Sequence, residues 1–232
     1  MKYEFTGETK IEFDVKFQRI RSLVAITNFG VAIGDLGGWI EKEANLSQSG
    51  LAWVSGNAQV AGNAQVFGDT WVAGNAWVFG ESWVYGDARV HGNARVHGNA
   101  RVFGDAKVAG SAWVFGNAWV DGNARVFGNA RVHGNAHVYG DAEVDGNAEV
   151  AGDALVSTQI LVATRSDGYT FLITPTKKES TNPRIIAGCR YFTFDEARAH
   201  WSSPTYPDAK LAAESLALVD HLERMAKLQG WC

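Results

Sequence analysis

The residues of this 232-residue sequence best equipped for chemistry are its six histidines, its two cysteines and a set of regularly spaced arginines and tryptophans. His91, His97, His133 and His137 could each act as a general base, because imidazole titrates near neutral pH. His97 and His133 have the stronger claim, since Arg95 and Arg131 stand two residues away and could hold an anionic substrate. Cys189, followed by Thr193, Glu196 and His200, suggests a thiol nucleophile paired with an imidazole. Each also has a plainer reading: the histidines as members of a surface ladder, the cysteine as a small buried residue. Zinc is not expected, because no cysteine accompanies the four histidines.

A second chemistry is recognition. Arg89, Arg95 and Arg101 are six residues apart, and Trp77, Trp83, Trp113, Trp119, Phe115 and Arg131 fall on the same spacing or beside it. Guanidinium beside indole can grip an anion while the ring stacks on it. These nine residues are the candidate binding set.

The spacing comes from a repeat. Valine occupies every sixth position from Val54 to Val156, eighteen times without a gap, and glycine follows two residues later from Gly56 to Gly152. Asn or Asp comes next in all but two cases, Glu81 and Ser111; Ala stands two residues before each valine, replaced only by Thr70 and Ser82. Gly and Asn/Asp tolerate positive φ, so they bend the chain at a fixed interval. Between bends, Ala-x-Val-x alternates, which places Ala and Val on one side and the residues flanking Val on the other. Three short strands and three bends make a triangular coil of 18 residues, and stacked coils pair their backbones. At about 4.8 Å per coil the rod is roughly 27 Å tall.

The inside being constant, information lies in the outward residues, which sort into three faces on reading every eighteenth position. The first carries Trp53, Trp71, Arg89, Lys107, Arg125 and Glu143; the second Gln59, Trp77, Arg95, Trp113, Arg131 and Glu149; the third Gln65, Trp83, Arg101, Trp119, His137 and Leu155. On the second and third faces aromatic and cationic residues alternate coil by coil, leaving an aromatic surface of the kind that marks interfaces. Arg89, Arg95 and Arg101 form a cationic ring on one coil.

Three segments follow: residues 1–50, a β-rich cap; 51–157, the repeat; and 158–232, strands plus two helices. In the first, the glycines at 34, 37 and 38 match no phosphate-binding fingerprint and read as turns. In the last, strands are expected at Gln159–Thr164, Tyr169–Thr174 and Arg184–Tyr191, with a hairpin turn at "SDG". A capping box, Thr193 with Glu196, opens a short helix through Trp201. Pro204 and Pro207 end it, and an amphipathic helix covers Asp208–Leu228.

The segments "RIRSLVAI" and "GDLGGWIEKEANLSQSGLAWVSGNAQV", the "GNARV" coils and the tail "IIAGCRYFTFDEARAHW" together resemble the hexapeptide-repeat proteins of phages, prophages and enterobacterial genomes. The resemblance implies an all-β solenoid, a left-handed parallel β-helix with 18-residue triangular coils, a β-rich N-terminal cap and an α+β C-terminal cap. It further implies homo-oligomers, a trimer first among them, in the bacterial cytoplasm. Some members carry an acyltransferase assignment; in such enzymes a histidine on a loop projecting from the coils acts as base, with acyl-CoA held between subunits. Here the valine register is unbroken, so no loop leaves the rod, and the expectation is a non-enzymatic, self-associating binding scaffold without a cofactor. Acetyl-CoA belongs to the alternative, an acyltransferase using His97, His133 or Cys189. A further alternative is a phage protein that sequesters a nucleotide signal or inhibits a host protein.

Composition narrows the partners. With 21 basic and 25 acidic residues the net charge is -4, so nothing draws the whole chain to nucleic acid or anionic lipid. No run approaches the roughly 20 apolar residues of a membrane span. The expected partners are a second copy, a host protein or an anionic small molecule.

Overall fold

The structure is a computed structural model of the chain and describes residues 1–157, 161–174, 183–188, 190–228 and 230. Its body is a parallel β-solenoid. Eighteen two-residue strands, β4 (Trp53–Val54) through β21 (Leu155–Val156), fall one to each hexad. Strands 18 residues apart pair in parallel: Arg95 lies opposite Trp77 on one side and Trp113 on the other. Three sheets result, and they are the three faces read from the sequence.

The hexad dictates this geometry at every position. Val72 through Val156 are fully buried, and the alanines fill the space near the corners. The corner glycines from Gly56 to Gly152 take φ between 61 and 76°, a region that costs an L side chain strain. Along most of the rod the residue after the corner glycine donates its N–H to the next coil, as Asn99 N does to the Gly116 carbonyl at 2.8 Å. Side chains at the corners join in: Asn99, Asn117 and Asn135 form a ladder with bonds of 3.0 and 3.1 Å. The two breaks in the alanine pattern explain themselves, since the buried Thr70 and Ser82 hydroxyls donate to the Phe67 and Phe79 carbonyls at 2.8 and 2.9 Å.

The N-terminal segment does more than cover the first coil. Strands β1 (Tyr3–Glu12) and β2 (Val15–Ser22) form an antiparallel hairpin, and β3 (Leu36–Ile40) pairs antiparallel with β2. On its other edge β3 runs parallel to the second face, Trp39 opposite Gln59, while Leu46 bridges Val66 on the third. Residues 36–46 thus lay down two walls of an additional coil without using the hexad. Gly34 turns the chain at φ 90°, as expected, but Gly37 and Gly38 do not. They sit inside β3, where a Cβ would stand 2.5 Å from Ile20 Cγ1 and 2.7 Å from the Ala58 carbonyl oxygen, respectively. Close packing, not turn chemistry, requires them.

The far end is closed by a four-stranded antiparallel sheet: β22 (Leu161–Thr164), β23 (Thr170–Thr174), β24 (Arg184–Ala187) and β25 (Arg190–Phe192). The strand expected over 184–191 is two strands, parted at Gly188 with φ 59°. Gln159, the expected start of β22, lies outside the described residues. Alternation puts Leu172 and Ile186 against the rod's valines, while Phe171, Ile173, Ile185 and Ala187 face the other way. On that other face pack α1 (Phe194–Trp201) and α2 (Ala209–Leu228), through Trp201, Val219 and Leu222. The capping box holds: Glu196 N donates to Thr193 Oγ1 at 3.1 Å and Thr193 N to Glu196 Oε2 at 2.7 Å. Among the described residues no helix is long and apolar enough to cross a membrane.

Candidate functional site

The outward slots form continuous columns along the rod. On the third face, the Arg101 guanidinium is sandwiched between Trp83 and Trp119, 5.2 and 5.0 Å from their ring centroids. On the second, Trp113 takes the central place, with Arg95 and Arg131 at 4.8 and 5.5 Å. Such contacts contribute about 0.5–2 kcal/mol each, more where water is excluded. A second set of columns runs beside them. Phe67, Tyr85 and Phe103 stack at 4.9 Å with planes 2° apart, and Phe79, His97, Phe115 and His133 stack at 4.7–5.0 Å.

This arrangement sharpens what the candidate binding residues can do. Rings that stack along the rod spend their faces on one another and turn their edges outward. The sandwiched guanidinium likewise has its planes occupied, and its N–H groups remain for a partner in the ring plane. Among the described residues Arg89, Arg95, Arg101, Lys107, Arg125 and Arg131 make neither an ion pair nor a side-chain hydrogen bond, whereas Arg19, Arg21, Arg165, Arg184 and Arg198 all pair with carboxylates. Arg89 lies with Lys107 and Arg125 along an open cleft of about 550 Å³ shared with Asp87, Asp105 and Asp141. Arg101 and Trp83 line another, of about 330 Å³, with Glu81, Asn63, Gln65 and Asn99.

The faces are unequally accessible. Sequence reasoning placed Trp53 and Trp71 on an outer surface, but the N-terminal segment covers them: Trp53 is fully buried, and Phe29 stacks on Trp71 at 5.8 Å. Trp77 meets Phe13 of the hairpin, ring edge to face, at 4.9 Å. Trp83 and Trp119 on the third face remain 38% and 40% exposed, Trp113 and Phe115 are half-buried, and so the open aromatic surface is the third face and the lower second face. A chain segment folding back over a repeat leaves no periodic signal in it, so the hexad pattern carries no mark of this covering.

Of the candidate catalytic residues, His97 and His133 are described, and both are members of one ring stack with Phe115 between them. His97 is held between two phenyl rings, and its pKa is pushed down first by burial and then by the neighbouring Arg95 charge. His133 Nε2 lies 2.7 Å from Glu149 Oε1, and His137 Nε2 lies 3.1 Å from Asp121 Oδ2. Neither His97 nor His133 hydrogen-bonds a hydroxyl or thiol among the described residues. Cys189 lies outside the described residues; His200 accepts from Arg190, and burial lowers its pKa. No group of His, Cys, Asp or Glu among the described residues is placed to hold a metal ion.

The stacked 18-residue coils, their valine core and glycine corners define a β-solenoid repeat protein. A family model described as the YdcK beta solenoid repeat matches residues 83–98 and 124–140, two stretches that include Trp83, Arg95, His97, Arg131 and His133. No curated protein matches the chain.

Proposed function

We propose that this protein is a non-enzymatic scaffold of phage or prophage type, working in the bacterial cytoplasm, that associates with copies of itself and recognises an anionic partner through its third and lower second faces. The observation that carries the reading is Arg101. Two indoles desolvate its planes, and among the described residues no carboxylate pairs with it, Glu81 lying in the same cleft without an ion pair to it. A guanidinium so placed is pre-oriented for a forked bond to a carboxylate or phosphate, and the flanking rings supply apolar area for the same partner. Arg95 and Arg131 invert the arrangement, one guanidinium on each side of Trp113. Three rods packed by these faces about a common axis would bury both sets of columns, which favours a trimer.

Sedimentation velocity or mass photometry on the full chain tests the association. The expected result is a trimer that falls to monomer in Arg101→Ala and in Trp113→Ser with Phe115→Ser. A parent that is monomeric at all concentrations refutes self-association. The acyltransferase reading is favoured by one observation, the His97 ring beside an unpaired Arg95. Calorimetry with acetyl-CoA separates it: saturable binding lost in Arg95→Ala and His97→Ala would displace the scaffold reading. Mass spectrometry of small molecules released from purified protein would reveal a sequestered nucleotide.

A further inference from the structure

One buried group on the second face is unanswered by any of the described residues. Gln59 fills the outward slot between Trp39 and Trp77, its neighbours in the flanking strands. Gln65, in the same slot of the third face, is open to solvent, but Gln59 is only 5% exposed because the end of hairpin β1–β2 folds over it. Its Nε2 donates to Glu12 Oε2 at 2.9 Å. Its Oε1 is buried and has no hydrogen-bond partner among the described residues. Turning the amide over would set its carbonyl against the Glu12 carboxylate and strand the amino group instead. A buried acceptor left unpaired is costly, and native chains keep few of them without a use.

Gln59 lines a cavity of about 380 Å³ whose other walls are mainly Phe13, Phe17, Ala61, Trp77 and Phe79. That volume and lining suit a small ligand with an apolar body. Glu12 already receives Lys10 Nζ at 3.0 Å as well as the Gln59 amide, so its charge is met and the site has no call for a cation. The outer wall is unusual. Phe13 and Asp14 form the two-residue turn of the hairpin with φ of 52 and 61°, where Asn-Gly is the ordinary choice and a bulky side chain is an outlier. The strained position sets the Phe13 ring against Trp77 at 4.9 Å, and both rings line the cavity.

We infer that this pocket binds a small, flat, apolar molecule bearing one neutral N–H or O–H donor, admitted as the Phe13 ring swings off Trp77 in a movement that also uncovers Gln59 Oε1, and fixed by donation to that oxygen. The site is separate from the Trp–Arg columns and stands whether or not the chain self-associates. Isothermal titration of the full chain with indole and with 1-methylindole, which has the same body and no donor, tests it. Indole should saturate one site and bind about tenfold or more tightly than 1-methylindole, the factor expected for one hydrogen bond to a buried acceptor. Gln59→Met should erase that preference, and Gln65→Met, the matched change on the third face, should keep it. No saturable indole binding, equal binding of the two probes by the parent, or an unchanged preference in Gln59→Met overturns the inference.

Discussion

The corner glycines offer the sharpest test of how the rod is held together, because one column contains its own control. Gly128 and Gly146 occupy equivalent corners one coil apart, with φ of 69 and 61°. A Cβ added at Gly128 would stand 2.8 Å from Gly146 N and 2.9 Å from its carbonyl oxygen, whereas a Cβ at Gly146 meets nothing within 4 Å among the described residues. Alanine at either place takes on the left-handed conformation, at about 1–2 kcal/mol. At Gly128 it must also push one backbone off another, an overpacking cost of about 1–3 kcal/mol that no flexible side chain can absorb. Gly128→Ala should therefore lose about 2–5 kcal/mol and Gly146→Ala about 1–2. Asn tolerates positive φ, so Gly146→Asn should approach the parent, while Gly128→Asn keeps the collision. Urea unfolding followed by circular dichroism, with the transition of the terminal coil fitted separately, reads these differences. Equal losses at the two corners would refute the view that glycine is needed there for coil stacking as well as for turning.

Three further outcomes follow from the geometry. The His97 pKa is lowered in the folded rod, so the unfolded chain binds more protons and stability falls as pH drops below about 6.5; His97→Phe, which continues the Phe79–Phe115 stack, should lessen that loss in melts compared at pH 7.5 and 5. Lys2 is buried with its Nζ donating to the Ala52 carbonyl at 2.6 Å, and burial brings its pKa down to about 8. Stability should hence rise from pH 8 to about 10, a slope absent in Lys2→Met, until the raised pKa of Tyr3 reverses it at higher pH. Asn117→Ala removes two exposed ladder bonds, to Asn99 and Asn135, and should cost no more than about 1–2 kcal/mol by urea titration.

The sequence discloses the rod almost completely and its ends only in outline. Val54 to Val156 set the period, Gly56 to Gly152 set the corners, and reading every eighteenth residue yields the three sheets, because each coil contacts only its neighbours in register. The Trp–Arg alternation foretells the sandwich about Arg101, since the slots are one strand apart. Long-range folding back is what the pattern leaves out. Nothing in "GGWIEKEANL" repeats, yet it supplies two walls of a coil, and nothing about Gln59 distinguishes it from Gln65 until the hairpin is laid across it. The one available signal was Phe13 beside Asp14 at a tight turn where glycine would be expected. The turn expected at Gly37 and Gly38 gives way to close packing for the same reason, as their constraint comes from Ile20 and Ala58, residues remote in the chain.

The identical spacing of the coils couples length to bearing, as a screw thread does. Inserting 18 residues would lengthen the rod by about 4.8 Å and return every column to its place. Inserting a single hexad would preserve the valine interior and the glycine corners but rotate everything downstream by one wall. The sheet at the far end and its two helices would then point a third of a turn away from where they now stand relative to Arg101. Gain or loss of hexads, the easiest change for a repetitive gene, is thus a stepwise control on the direction in which the rod presents its tail.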